Sequence, residues 1–517
     1  MFISKVNIKN FKCFSSQEIT FNRPNSKPGS GLNILIGENN CGKSTVFEAI
    51  DFFRNGTDKN LVDLKNTNAK QNDDLLVEIT FAGKIPDTIE DFSQENKKKV
   101  FRKYLFKENT EDHIKFLRTS DDLKSIKLWD NENQQYINES GIDAPIKKLF
   151  EFNFVWADTN PNDQIKFGAS TVCGNLLKKI IEQFEDTNDF SDFKDHYDMV
   201  FNNPESTLKK RLNHIEEKTK EKFSEQFGNA SILFHFEHPK VETFFKNSSI
   251  RIDDGLETSL AEKGSGMQRS VALALLQVYA EELIKHPEKD VEKPFFLFID
   301  EPEICLHPKA QIKLFNALLE LSKTQQIFIA THSPYFFKCP YIKDMAIFVC
   351  KRVDNYNVII NNINNDHFKL FPWSPSWGEI NYYAYNMPTI EFHNELYGQL
   401  QYISNSKTID NADKYIQSQG ISVSKKWQRE DLGKPGKVTD VTIQTFIRNK
   451  IHHPENQLML DSNFTEQEFE LSIAEMIELL SQKEEPKNCE REDVNPLAMV
   501  NIENSLEKDF TKQSSQT

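Results

Sequence analysis

No stretch of the 517-residue chain approaches the roughly 18 consecutive apolar residues that a membrane span needs. The N-terminus, MFISKVNIKNFKCF, alternates apolar and polar residues and lacks the apolar core of a secretory signal. Cysteine is sparse and unpatterned: there are seven, and no pair has CxxC spacing. That argues against a disulfide framework and reads as reduced thiols in a cytosolic setting. Positive charge is in deficit, with a formal net charge of −15. This excludes a chain whose whole surface wraps nucleic acid. It leaves room for a local basic groove, or for a partner that touches nucleic acid instead. Internal repeats are absent. The expectation is a soluble, cytoplasmic chain without membrane contact, long enough for about two or three domains and a large core. Phenylalanine is abundant at 41 residues, alongside many Lys and Asn. That composition reads as AT-rich coding rather than function.

What is present is organisation. Residues 2–8 alternate like a strand, 32–36 form a second, and 45–53 read as a helix with Val46, Phe47, Ile50 and Phe53 on one face. Residues 75–81 are a clear strand. Residues 100–129 give further short strands broken by charged turns, and 152–156 give another. Between 172 and 227 the pattern turns helical and charged, as in a helical lobe or a short coiled-coil hairpin. Residues 232–252 return to strands. A glycine-containing loop then precedes a helix in AEKGSGMQRSVALALLQVYAEELI. PFFLFID (294–300) and QIFIA (326–330) are apolar without alternation, as in central parallel strands covered on both faces. A helix at 311–321 separates them. After about residue 335 come short strands, MAIFVC and YNVIINNI, then an aromatic stretch with Trp373 and Trp377. Residues 389–482 read as mostly helical. The expected division is a nucleotide-binding domain over 1–340 with about 82–255 inserted, a mostly helical partner-binding or effector region over 341–482, and a charged, disordered tail over 483–517.

Four pieces carry chemistry. GENNCGKST fits the phosphate-loop pattern, Gly37-x4-Gly42-Lys43-Ser44, with a strand before it and a helix after. Its glycines let backbone N–H groups turn onto phosphate oxygens, and Asn39, Asn40 and Thr45 complete the expected nucleotide cradle. Lys43 is expected at the β- and γ-phosphates and Ser44 at Mg²⁺, so the cofactors are ATP and Mg²⁺. Cys41, inside the loop, reads as a small tolerated side chain rather than a redox switch. In FFLFIDEPE, a carboxylate ending a buried strand is costly unless it meets a cation. Asp300 therefore reads as the Mg²⁺-side carboxylate, and Glu301 as the base that orients the attacking water. In IFIATHSP, His332 follows another buried strand and can reach the γ-phosphate or the water. In KGSGMQR, Ser265, Gly266 and Gln268 at a helix start form a second anion site. The first loop already holds one nucleotide, so a second serves another subunit, which implies a head-to-tail homodimer. The plain alternatives are an ordinary glycine turn, a strand-end acidic pair, a structural histidine and a capped helix.

Together these pieces resemble the ABC-type ATPases of the structural-maintenance, DNA-repair and overcoming-lysogenization group. NIKNFKCF looks like that group's opening strand pair. DEPEICLHP and THSP are similar to its Walker B and switch-histidine motifs. SGMQ stands where SGGQ is common, with Met267 replacing a glycine. The resemblance covers roughly residues 1–340, and its Q-loop candidate is Gln164. It implies an α/β fold: an ABC-type P-loop ATPase head of mixed sheet with an antiparallel subdomain and a helical insertion, plus a mostly helical C-terminal region.

Overcoming-lysogenization nucleases carry a Toprim domain behind the ATPase, marked by a strand followed by Glu-Gly and a later Asp-x-Asp. Neither occurs after Pro334. Instead, DVTIQTFIRNKIHHPENQ (440–457) resembles a stretch behind the ATPase core of PtuA subunits of Septu antiviral systems and their retron-associated relatives. That resemblance implies an ATP-hydrolysing regulatory subunit of an anti-phage complex, with an HNH-type nuclease (PtuB) as partner. A retron reverse transcriptase and its DNA–RNA product are further candidate partners. The same residues admit another reading. Arg448-Asn449-x3-His453 fits the motif of HEPN ribonucleases, where Arg stabilises the scissile phosphate and His promotes attack by the 2′-hydroxyl. About one such match is expected by chance in a chain of this composition. A helix ending at Pro454 with two histidines near its negative terminus is the plain reading. Three functions stand from the sequence: a regulatory ATPase subunit, a self-contained ATPase–ribonuclease toxin, and a DNA-repair ATPase.

Overall fold

Three strands are buried at every residue. These are β3 (Leu32–Ile36), β12 (Phe295–Asp300) and β13 (Gln326–Ala330). A strand of that kind needs cover on both faces. In the computed structural model they lie inside a six-stranded sheet of order β15-β14-β3-β13-β12-β9, with β9 at Glu151–Val155, β14 at Ala346–Arg352 and β15 at Val358–Asn362. Every pairing in this sheet is parallel except that of β14 with β15. Leu314, Phe315 and Leu318 of the helix Pro308–Leu321 cover one face, packed with Ile34, Leu297, Ile299 and Ile329. Phe47 and Ile50 of the helix Lys43–Asn55 share a core with Leu35, Phe296, Phe298 and Phe328 from the other.

That second core also holds the inner face of an antiparallel sheet. Its order is β2 (Phe14–Thr20), β1 (Phe2–Phe11), β4 (Leu76–Ala82), β6 (Glu111–Thr119), β7 (Lys127–Asp130) and β8 (Gln135–Ile137), with β5 (Phe106–Glu108) paired to β6. Phenylalanines fill the layer: Phe298 stacks on Phe328 at 4.5 Å, and Phe81 stacks on Phe150 at 4.7 Å. Gln326 ties the two sheets together. The Ile3 amide donates to its Oε1 at 2.8 Å, and its Nε2 donates to the carbonyls of Ile3 and Asn22 at 2.8 and 2.9 Å.

The structure describes residues 1–57, 60–70, 72–90, 94–157, 184, 187–228, 230–239, 249–285, 294–304, 306–354, 356–363, 369–431 and 434–481. Gln164, the helical pattern at 172–183 and the tail at 483–517 lie outside them. No helix among the described residues is long and apolar enough to cross a membrane. The chain divides into two units, Met1–Phe392 and His393–Thr517.

The expected helical insertion is present as Asn188–Phe201 and Thr207–Phe227, N-capped by Thr187 and Ser206. Three readings differ. Residues 230–239 are not a strand. Side chains of the insertion take their backbone groups instead: Glu216 accepts from the Phe234 amide, Lys209 donates to the Phe234 carbonyl, and Asn202 bonds both the amide and the carbonyl of Phe236. Among the described residues, strand structure resumes in the hairpin of β10 (Arg251–Asp253) and β11 (Glu257–Ser259). The core sheet does not end near residue 340, because β14 pairs directly with β3 at its centre. The second unit contains a long hairpin, β16 (Val423–Asp431) with β17 (Lys434–Thr442), among its helices. Half of its strand residues are exposed and nearly half are charged, and the buried Trp427 packs edge-on to Phe446.

Replacing Gln326 with leucine removes its bonds to the Ile3 amide and carbonyl, and leaves the Asn22 carbonyl with the Asn33 amide as donor. This change is expected to lower the unfolding free energy by about 3 kcal/mol. Urea unfolding measures it, and a parent-like midpoint would show that the two sheets do not depend on this bridge.

Candidate functional site

Parallel pairing sets the C-terminal ends of β12, β13 and β3 side by side, the edge at which open α/β sheets bind ligands. From β3 the chain enters the loop through Gly37 (φ 142°), Asn40 (φ 60°) and Gly42 (φ 83°). A Cβ on Gly37 would lie 2.3 Å from the Cys350 carbonyl oxygen, and one on Gly42 would lie 2.7 Å from Cys13 Sγ. Conformation and space therefore both demand glycine at these two positions. Gly42 caps the helix Lys43–Asn55, and its first turn carries no side-chain cap and no acidic residue. Such an N-terminus suits an anion. The buried Lys43 ammonium donates to the carbonyls of Gly37 and Glu38 at 3.1 and 2.9 Å, which holds the cation at the loop. Asn39 and Asn40 are exposed, and Arg352 donates to the Asn40 carbonyl at 2.8 Å. Thr45 is half-buried and bonds the Cys13 thiol.

The Ser44 hydroxyl donates to Asp300 Oδ1 at 2.8 Å. Burial pushes the Asp300 carboxyl up to about 6, and the charge of Glu301 adds to the effect. A hydroxyl and a strained carboxylate in contact are a donor set that fits Mg²⁺, which takes oxygen ligands and keeps several sites for phosphate and water. Glu301 stands next in the left-handed region at φ 46°, its amide bonded to the Ala330 carbonyl at 2.7 Å. His332 Nε2 lies 3.7 Å from Glu301 Oε1. Burial lowers the His332 pKa, and the Lys43 charge lowers it further, so the neutral imidazole is favoured. The structure thus brings together Lys43, Ser44, Asp300, Glu301 and His332.

Two residues that hold this arrangement escape the motif reading. Glu303 accepts from the His332 amide at 2.6 Å and from the Thr331 hydroxyl at 2.7 Å, which fixes the turn that presents the imidazole. Arg269 is buried, and its Nη2 donates to the carbonyls of Asp300 and Glu301 at 3.1 Å each, while Nη1 reaches the Ala157 carbonyl at 3.3 Å. The sequence signal for Glu303 was a third acid within DEPE. For Arg269 it was a cation leading into an otherwise apolar helix stretch.

Ser265 opens the helix Ser265–Lys285 at the surface, with Gly266 half-buried beside it. Gln268 is different. It is buried, and its amide donates to the carbonyls of Ala261 and Lys263 at 3.1 and 2.7 Å. Its side chain shapes the loop rather than facing outward.

In the second unit, Arg448 donates to its neighbour Asn449 at 3.1 Å. The helix Ile443–His452 ends before His453, which is exposed and sits 3.1 Å from Glu455 Oε1. Among the described residues no hydrogen bond joins Arg448 to His453. His452, four residues beyond Arg448, has its pKa lowered by burial and then by the charges of Arg448 and His453.

The family model described as AAA ATPase domain matches residues 1–143 and 84–337. The Old nuclease of Escherichia phage P2 is 26% identical over 368 residues, covering 68% of this chain and 59% of that protein. The DNA replication and repair protein RecF of Oenococcus oeni is 25% identical over 394 residues, covering 68% of this chain and 98% of that protein. The chain spans about three fifths of the length of the two OLD nucleases it matches. Among solved structures, the SMC head bound to the C-winged helix domain of ScpA is similar over 70% of this chain and 98% of that one, at 15% identity and a TM-score of 0.41.

The raised Asp300 pKa gives a pH dependence of known sign. Mg²⁺ requires the charged carboxylate, so protons compete below about pH 6. Mg²⁺-dependent nucleotide affinity is expected to be constant above about pH 7 and to fall about tenfold for each unit below 6. Nucleotide titrations with and without Mg²⁺ from pH 5 to 8 test this. A flat Mg²⁺ contribution would remove Asp300 from the ligand set.

Proposed function

The chain belongs to the AAA ATPase domain family, whose model spans its first 337 residues, and from that premise we propose that it is a Mg²⁺-dependent ATPase acting as the regulatory subunit of an anti-phage nuclease complex. One observation carries the ATPase reading: Ser44, from the phosphate-loop helix, bonds Asp300, from the end of β12, at 2.8 Å. The amides of the loop and Lys43 bind the β- and γ-phosphates. Bound Mg²⁺, held by Ser44 and Asp300, supplies charge neutralisation on the phosphate oxygens. Glu301 orients the attacking water and takes its proton. His332, 3.7 Å from that carboxylate, hydrogen-bonds the γ-phosphate or the water as a neutral ring. Glu303 keeps the ring in place through the backbone.

The exposed start of the Ser265 helix supports a head-to-tail homodimer in which Ser265 and Gly266 meet the other copy's nucleotide. Such an assembly forms and opens with ATP, as a regulator requires. The resemblance of 440–457 to PtuA subunits supports an HNH-type nuclease as the regulated partner, with a retron reverse transcriptase and its DNA–RNA product as further candidates. Likeness to the phage P2 Old nuclease over 68% of this chain supports a nuclease-linked role. A DNA-repair ATPase is the second reading, favoured by a match covering 98% of RecF. It requires hydrolysis stimulated by DNA. The ribonuclease reading has less support, since Glu455 engages His453 and Asn449 engages Arg448.

Three variants and one mixture test the proposal. Lys43→Ala is expected to abolish nucleotide binding. Glu301→Gln is expected to bind ATP, to hydrolyse it about a hundredfold more slowly, and to prolong the ATP-bound dimer. The chain alone, and the chain with whatever neighbouring gene product co-purifies, are incubated with ATP, Mg²⁺ and total RNA or plasmid DNA. Cleavage only with the partner, altered by Glu301→Gln, is the expected result. Cleavage by the chain alone, lost in His453→Ala, would replace the regulatory reading with a ribonuclease.

A further inference from the structure

Three cysteines from separate parts of the chain meet at the phosphate loop. Cys13 lies in the turn between β1 and β2, Cys41 in the loop itself and Cys350 in β14. Pairing of Val349 with Ile36 sets Cys350 against the loop's first glycine. A Cβ on Gly37 would meet the Cys350 carbonyl oxygen at 2.3 Å and Cys41 Sγ at 2.9 Å. The Cys350 thiol donates to Cys41 Sγ, and Lys43 Nζ lies 3.7 Å from the same sulfur. All three cysteines are free, and both members of the inner pair are 2% exposed. A small side chain beside a crowded glycine explains Cys41 alone. It does not explain two thiols in contact next to the cation that binds phosphate.

We propose that Cys41 and Cys350 form a modification site, which a hydroperoxide converts to a disulfide that closes the nucleotide site until a thiol reductant reopens it. The two sulfurs have unequal roles. The hydrogen bond from Cys350 brings Cys41 down to about 7 against its burial, with help from Lys43. Burial holds Cys350 well above the ordinary thiol value. Cys41 is therefore the attacking sulfur. Its thiolate attacks one peroxide oxygen, the O–O bond breaks, and the leaving oxygen departs as an alcohol or water. Cys41 becomes a sulfenic acid. Cys350 then attacks that sulfur, gives up its proton, and expels the hydroxyl as water as the S–S bond forms. Two thiols lose two electrons and the hydroperoxide gains them.

The bond draws the middle of the loop onto β14. Cys41 sits between Asn40 and Gly42, both with positive φ, so its position sets the direction of the loop amides. Tethering it disturbs those amides and the Lys43 ammonium together. Arg352, at the end of the same strand, already bonds the neighbouring Asn40 carbonyl, so β14 is mechanically coupled to the loop.

The test uses the full chain treated with hydrogen peroxide. Non-reducing peptide mapping by mass spectrometry reads the link, and a fluorescent ATP analogue reads affinity before oxidation, after it, and after dithiothreitol. The expected result is a Cys41–Cys350 peptide with an affinity at least tenfold weaker, restored by the reductant. Cys350→Ala is expected to bind nucleotide like the parent when reduced and to form no link. If that variant does not fold, the parent's peptide map decides alone. A map with Cys41 still a thiol, or joined to Cys13, overturns the proposal, as does a link that leaves affinity unchanged. Failure of the reduced parent to bind nucleotide would instead count against the phosphate-loop assignment, which the map does not depend on.

Discussion

A carboxylate at the end of a fully buried strand is the constraint around which the first unit is built. Asp300 accepts hydrogen bonds from neutral donors, the Ser44 hydroxyl and the Ala157 amide, while Glu301 adds a like charge beside it. Burial pushes its pKa up to about 6, and the Glu301 charge adds to the rise against the lowering effect of those two hydrogen bonds. Nearby cations are engaged elsewhere: Lys43 bonds loop carbonyls, and the Arg269 bonds reach the backbone of Asp300 rather than its carboxylate. Arrangements of this sort cost stability. The cation and phosphates proposed for this site would recover that cost.

The same strand end is hydrogen-bonded to the helix that Ser265 opens. Arg269 joins the Ser265 helix to backbone carbonyls of β12 and to Ala157, just past β9. These bonds go to main-chain atoms and tie the helix to the strand end that carries Glu301. Glu303 works in the opposite direction, tying the segment after β12 to the turn after β13 through the His332 amide and the Thr331 hydroxyl. Glu301, His332 and the start of the Ser265 helix therefore share one hydrogen-bonded frame.

The phosphate loop, the strand-end carboxylates and the two buried strands were legible because local physics restricts their residues. Gly37 and Gly42 sit where a Cβ has neither room nor an allowed φ, and β12 and β13 lack a polar face. What was not legible acts at long range or on the backbone. Arg269 and Glu303 bond main-chain groups, a role with no residue pattern of its own. Cys350 meets the loop only through the pairing of β14 with β3. That pairing also hid the extent of the first unit, since composition changes near residue 335 while the sheet continues through β15. The β16–β17 hairpin was missed because charged residues obscure its alternation. The segment 230–239 reads as a strand because sequence does not distinguish backbone groups bound by a neighbouring strand from those bound by Asn202, Lys209 and Glu216.

The segment 440–457 shows why a motif and a structural role must be separated. Thr442 caps the helix Ile443–His452, and Asp413 receives both its amide and its hydroxyl, at 3.0 and 2.7 Å. Thr445 bonds the Tyr397 hydroxyl at 3.0 Å, and Gln444 bonds Glu475 at 2.5 Å. Lys450 donates to the Met459 carbonyl, and Asn456 donates to the Gln428 carbonyl of β16. Most polar residues of the stretch thus hold the second unit together. Only its end, from His452 to Glu455, is continuously exposed. Catalysis in it would have to come from the exposed end, where His453 is turned to a carboxylate instead of to Arg448. What the stretch presents at the surface is a histidine-bearing helix terminus.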